Sequence, residues 1–90
     1  MKQIELSVVV PCFNEEKNIS ELVNRCLTLF DKKEISGEII LVNDGSQDNT
    51  KSCIDSLKSE YVKGFHSETN NGIEKTWKIG IEKAKGIYVC

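Results

Sequence analysis

Nearly all the side chains that could do chemistry in this sequence fall in three short polar segments, each directly after a strand-like run. They are Pro11-Cys12-Phe13-Asn14-Glu15, Asn43-Asp44-Gly45-Ser46 and residues 67–72. Asp44 follows Ile39-Ile40-Leu41-Val42, so its carboxylate stands at the edge of an apolar layer instead of inside it. There it could accept hydrogen bonds from a nucleobase N–H or a ribose hydroxyl, or close an Asx-turn that caps the next helix. Spacing leaves both open. Ser46 and Asp48 lean toward capping. Glu15 and Glu16 stand where a helix begins, and the helix dipole favours acids there. That accounts for Glu16. Glu15 has Phe13 two residues before it, and an aromatic ring beside a carboxylate can flank a nucleobase while the acid bonds its edge. Phe13 taken alone reads as a core residue, and Asn14 as a helix cap or a brace for the loop.

Other candidates are weaker. Cys12, Cys26, Cys53 and Cys90 form no Cys-x-x-Cys pair and none stands at metal-ligand spacing from His66, the one histidine. They read as reduced thiols, with Cys26 and Cys53 on buried helix faces. A catalytic thiol at Cys12 is disfavoured because no histidine lies near it in sequence. His66 reads as a strand-end residue without a partner. Trp77 falls at core spacing, and Lys75, Lys78, Lys83 and Lys85 read as a solvated face.

Four strands and three helices must position these segments. Residues 4–10 are rich in β-branched side chains and form a buried strand that Pro11 is expected to stop. Ile19, Leu22, Val23, Cys26, Leu27 and Phe30 trace one face of a helix, with Asn18 and Glu21 as its capping pair. Residues 38–43 have a core, Ile39-Ile40-Leu41-Val42, that is apolar on both faces, which predicts a central strand of a parallel sheet. Cys53, Ile54, Leu57 and Tyr61 mark a second helix, and residues 62–66 a weaker strand. Ile73, Thr76, Trp77, Gly80, Ile81 and Ala84 trace a third helix that Gly86 is expected to end. Residues 87–90 begin another strand. The order β-α-β-α-β-α-β predicts a three-layer, doubly wound α/β fold with a mainly parallel sheet, whose ligands bind at the carboxyl ends of the strands.

Composition narrows the field. Ninety residues, 39% hydrophobic and 29% charged, make one domain at most, with a modest core. Fourteen acids against twelve bases leave no electrostatic footprint for nucleic acid. No apolar run approaches the ~20 residues that span a bilayer, and the first sixteen residues lack the apolar stretch of a secretion signal. A cytoplasmic location, or the cytoplasmic face of a membrane, is expected. No Gly-x-Gly-x-x-Gly follows the first strand and no P-loop motif occurs. A phospho-acceptor receiver domain would need an acidic pair at the end of the first strand, where Pro11-Cys12-Phe13-Asn14 stands.

Together VVVPCFNEEKNI (residues 8–19), EIILVNDGSQDNT (38–50) and NNGIEKTWKIGIEKAKGIYV (70–89) resemble the amino-terminal part of an inverting family 2 glycosyltransferase with the GT-A, Rossmann-like fold. The resemblance covers nearly the whole chain, and Asn43-Asp44-Gly45-Ser46 is similar to the polyprenyl-phosphate subgroup. It implies a nucleotide-diphosphate sugar donor, UDP- or GDP-linked, and an acceptor such as a polyprenyl phosphate or a cell-envelope polysaccharide. Carried over by motif, Pro11 and Phe13 line the base pocket and Glu15 and Asp44 bond the base or ribose. Asn14 and Ser46 match motif positions and shape the loops. Thr76 and Lys78 depart from the third motif, where Ala and Asn are usual.

The family's Asp-x-Asp motif, which holds Mg2+ or Mn2+ and the donor diphosphate, would begin beyond Cys90. Residues 1–90 are therefore expected to be the nucleotide-sugar-binding portion of a single GT-A domain, inactive alone, without catalytic residues or metal ligands of its own. The developing charge on a leaving nucleoside diphosphate needs that metal. An exposed last strand would invite a homo-oligomer, and membrane association would require a longer chain. The alternative is a non-enzymatic nucleotide-binding or truncated regulatory module, which a reading frame lacking an Asp-x-Asp segment past Cys90 would favour. A sugar nucleotidyltransferase would want a Gly-rich, Arg-bearing loop where PCFNEE stands.

Overall fold

The central strand sets the architecture. In the computed structural model, which describes residues 3–90, β2 (Gly37–Asp44) is buried along its whole length. Its odd residues Ile39 and Leu41 face one helix layer, and its even residues Ile40 and Val42 face the other. β1 (Leu6–Cys12) and β3 (Val62–Ser67) flank it, and β4 (Tyr88–Val89) lies outside β1. The order β3-β2-β1-β4 is parallel throughout, with Val9 opposite Ile40 and Asn43 opposite His66. α1 (Ile19–Lys32) and α2 (Thr50–Asp55) cover one face through Ile19, Val23, Phe30 and Ile54. α3 (Ile73–Lys83) covers the other, where Trp77 and Ile79 pack on Val9, Ile40 and Val42. The predicted three-layer, doubly wound parallel sheet is the observed one.

Several local expectations fail for identifiable reasons. Pro11 does not stop β1, which runs on to Cys12 with Pro11 opposite Val42. Val9 donates its N–H outward to the Cys90 carbonyl. Pro11, two residues on, aims its missing donor the same way, so no bond to β2 is lost. Residues 57–61 are not helical, because α2 closes at Asp55. Leu57 still packs against the core, and Tyr61 is exposed. Ile73 and Ile81 are exposed, so the buried face of α3 is narrower than its apolar spacing suggested. Asn18 is the N-cap of α1 without a side-chain cap bond; its amide donates to Glu15 Oε2 at 2.9 Å instead. Gly86 does not end α3, which closes at Lys83. It is needed for contact, because a Cβ there would stand 2.7 Å from the Ser7 nitrogen and Oγ.

A buried carboxylate ties the amino-terminal ends of the strands together. Glu38, 1% exposed, accepts from Ser7 Oγ at 2.6 Å, from Lys63 Nζ at 2.9 Å and from the Lys85 N–H at 2.7 Å. Ser7 Oγ in turn accepts the Gly86 N–H at 2.8 Å. Burial alone would raise the Glu38 carboxyl. The bonds from Ser7, Lys63 and Lys85, with the Lys63 charge, outweigh burial and hold it below the usual glutamate value.

α3 reaches the sheet through Gly80. A Cβ there would lie 2.2 Å from Val9 Cγ1 and 3.3 Å from Val42 Cγ2, both in buried side chains. Alanine would gain about 1 kcal/mol in helix propensity, but forcing a methyl into a filled core costs about 1–3 kcal/mol or more. At this separation the clash wins. Gly80→Ala is expected to lower stability by about 2 kcal/mol and the thermal midpoint by roughly 10 °C, read by circular dichroism. An unchanged midpoint would mean that α3 slides freely on the sheet.

Candidate nucleotide site at the carboxyl ends of the strands

The loops after β1, β2 and β3 meet at one end of the sheet, as strand order requires. The first two are clasped by reciprocal hydrogen bonds. The Asn14 N–H donates to Ser46 Oγ at 2.9 Å, and the Gln47 N–H donates to Asn14 Oδ1 at 2.8 Å. The Glu15 N–H donates to Thr50 Oγ1 at 2.8 Å, and the Glu16 N–H reaches Asp48 Oδ2 at 3.4 Å. Asn14 has a φ of 53°, a left-handed conformation that asparagine tolerates better than most residues. Its motif position thus has a backbone reason as well as a side-chain one.

The second loop is also fastened to the third. Asp44, 6% exposed, accepts the Asn71 N–H at 2.7 Å through Oδ1 and the Gly72 N–H at 3.1 Å through Oδ2. Gly72 is the N-cap of α3, so the carboxylate anchors the helix after β3, not the one that follows Asp44 directly. A carboxylate has about four lone-pair positions, so two remain for a ligand. Gly45 makes the approach feasible. Its φ is +68°, and a Cβ there would fall 2.5 Å from the backbone of Thr69 and Asn70.

The remaining expected residues sort as follows. Pro11 is half-buried beside Cys12, and Phe13 is 44% exposed. Phe13 is not the core residue that composition favoured. Ser46 is not a helix cap: its N–H and Oγ–H both donate to Asn43 Oδ1 while its Oγ receives Asn14. Asp48 stands one residue before Asn49, the N-cap of α2, and accepts the N–H and Oγ–H of Thr50, the helix's first residue. Desolvation acts to raise the Asp48 carboxyl, but the bonds from Thr50 and from the Glu16 N–H hold it below the usual aspartate value.

His66 has partners that sequence spacing could not show. Its Nε2 lies 2.8 Å from Asp55 Oδ1, and its Nδ1 lies 3.1 Å from Asn43 Nδ2. Thr50 also escaped the sequence reading. It is fully buried and joins Asp48 to Glu15, a role that neither its type nor its spacing announces.

The chemistry on offer is binding. Cys12 is 1% exposed, and burial, then the charge of Glu15, pushes its thiol up to about 12, so it stays protonated and unreactive at neutral pH. Among the described residues all four cysteines are free, and no three His, Cys, Asp or Glu side chains gather as metal ligands. These residues do not fit the divalent cation that the resemblance implies. Among the described residues no helix is long and apolar enough to cross a membrane.

Comparison with known proteins places this geometry. The Glycosyl transferase family 2 profile matches residues 7–90. An uncharacterized glycosyltransferase of Synechocystis sp. is 42% identical over 85 residues, covering 92% of this chain and 27% of the relative. A dolichyl-phosphate beta-glucosyltransferase of Drosophila melanogaster is 41% identical over 92 residues, covering 92% of this chain and 28% of the relative. The crystal structure of S. aureus TarS 1–349 in complex with UDP superposes with a TM-score of 0.80 at 32% identity, covering 96% of this chain and 26% of that one. The chain thus spans about a quarter of the length of these relatives.

Proposed function

The chain belongs to glycosyl transferase family 2, and we propose that residues 1–90 are the nucleotide-sugar-binding portion of a GT-A domain. The reading rests on one observation above all. Glu15 and Asp44, the two acids that the family motif assigns to the base or ribose, lie on loops clasped to each other by Asn14 and Ser46. The exposed ring of Phe13 stands in the same first loop, free to flank a base, with Pro11 behind it.

The donor is a nucleotide-diphosphate sugar. UDP is preferred to GDP because the structurally similar TarS chain was crystallised with UDP. Sugar transfer to an acceptor belongs to a longer chain, as does the divalent metal that the leaving diphosphate calls for, whose ligands would come from outside these residues. A polyprenyl phosphate is the acceptor class favoured by the dolichyl-phosphate relative. The reaction would then take place at the cytoplasmic face of a membrane. The exposed apolar side chains Tyr88 and Val89 on β4, with Ile87 just before it, are the surface through which a second copy would associate.

An amide-shift titration with UDP, then GDP, each with and without Mg2+, tests the reading. Shifts confined to residues 13–15 and 44–46, larger with UDP and little changed by Mg2+, are expected. A folded sample that shows none up to millimolar nucleotide would mean that the pocket needs residues of a longer chain.

A further inference from the structure

We propose that His66 is a positioning residue for this site, holding the Asn43 amide in the one orientation that keeps Ser46 and Asn14 in place. The inference about nucleotide rests on the donor-site reading; the inference about the loops does not. It follows from which atoms can donate. The Ser46 backbone N–H can only donate, and it points at Asn43 Oδ1 at 3.2 Å, an oxygen that also receives Ser46 Oγ–H. The amide oxygen must therefore face Ser46, and its NH2 must face His66 Nδ1 at 3.1 Å. A donor directed at Nδ1 requires that nitrogen to be bare. The proton of the neutral ring then sits on Nε2, where it donates to Asp55 Oδ1 at 2.8 Å.

A second proton, on Nδ1, would set N–H against NH2. The conflict is relieved only if the Asn43 amide turns over, and that sets its NH2 against the Ser46 N–H. Asn43 is 3% exposed, so its amide cannot turn to water without moving the loop. A protonated His66 held beside Asn43 and the intact Asn43–Ser46 contact exclude each other, and a ring that swung out, its side chain being 22% exposed, would leave the buried Asn43 NH2 without its acceptor. Because Ser46 Oγ receives the Asn14 N–H, the disturbance passes to the first loop, which carries Phe13 and Glu15. The charged group facing the ring is Asp55 of α2, at Nε2, and the group facing Nδ1 is the Asn43 amide of β2. Lys83, stacked over Phe65, belongs to the opposite face of the sheet.

The test is a 15N NMR titration of the unaltered chain from about pH 8 to about pH 5, where imidazoles change charge, first without nucleotide. The neutral ring is expected to carry its proton on Nε2, and the Ser46 and Asn14 amide shifts to follow the ring's own titration curve. His66→Phe should abolish that pH dependence. His66→Gln, whose side-chain oxygen can accept from Asn43, should keep the loops in place at every pH. With UDP as probe, affinity should fall about five-fold toward acid, relative to His66→Gln so that titration of the nucleotide phosphate cancels. A Ser46 amide that stays flat while the ring titrates, or a neutral ring protonated on Nδ1, would overturn the proposal. Failure of UDP to bind at any pH would sink the donor-site reading instead, and the nucleotide-free titration would still decide what His66 holds.

Discussion

Glu38→Gln is expected to lower the thermal midpoint by about 15 °C, the largest stability loss available from so conservative a change. The carboxylate accepts from the Ser7 hydroxyl, the Lys63 ammonium and the Lys85 N–H while almost wholly buried. Glutamine fills the same space but must turn its NH2 toward one of these donors. Ser7 can rotate its hydroxyl and Lys63, 36% exposed, can swing to solvent, whereas the Lys85 N–H cannot move. Removing one partner of a buried charge pair costs about 3–5 kcal/mol. The isosteric amide should sit near the lower figure, against a total of roughly 5–13 kcal/mol for a domain of this size. At about 4–8 °C per kcal/mol, a melt followed by far-ultraviolet circular dichroism resolves it easily. The loss should also depend on pH. The Glu38 carboxyl lies below its usual value of 4.5 in the folded chain, so the unfolded chain takes up the proton first as pH falls. Its contribution is complete above that unfolded value and disappears as pH drops through the folded one. The gap between the parent chain and Glu38→Gln should therefore narrow from pH 5 to pH 3. A constant gap would mean that the ionised form contributes nothing and only shape matters.

That network was also the part of the fold least legible beforehand. The alternation of strand and helix, and the burial of β2 on both faces, can be read from residue types, because a strand whose middle, Ile39-Ile40-Leu41-Val42, has no polar position must be covered twice. The location of the site follows from the same order, since loops after parallel strands share one end of the sheet. Ser7, Glu38 and Lys63 are different. Each stands in its own strand, 31 and 25 residues from its partner, and only register turns three isolated polar residues into one contact. Pro11 misled for a related reason: its missing N–H matters only on the side where a neighbour would receive it. His66 seemed unpartnered because Asn43 and Asp55 reach it across β2 and α2, separations that carry no pattern. Phe13 was misjudged by residue type. Aromatic side chains are usually core, and its exposure is set by the loop's position at the sheet edge, not by local preference.

Asp44→Asn is expected to weaken UDP binding at least ten-fold and to cost about 2 kcal/mol of stability, and the pairing of these two losses is what identifies its role. Both carboxylate oxygens receive backbone N–H groups, from Asn71 and Gly72; the Gly72 N–H also reaches Asn70 Oδ1 at 3.1 Å, and both donors are fixed by the backbone. An asparagine oxygen can serve one of them. Its NH2 must confront the other, so the third loop and the start of α3 shift away from the second loop. The lone pairs left for a ribose or base move with them. Glu15→Gln separates direct contact from this scaffolding. Among the described residues the Glu15 carboxylate accepts only from Asn18 Nδ2, a bond that a glutamine oxygen can also accept, so stability should change by no more than about 0.5 kcal/mol. UDP would still lose a charged acceptor, a charge-assisted bond worth about ten-fold in affinity. Isothermal titration of both variants, with thermal melts alongside, distinguishes the outcomes. If Asp44→Asn folds poorly, Glu15→Gln still decides the matter, because its fold should be intact. Parent-like UDP binding by Glu15→Gln would remove Glu15 from the pocket, and parent-like UDP binding by a folded Asp44→Asn would leave Asp44 as an anchor for α3 alone.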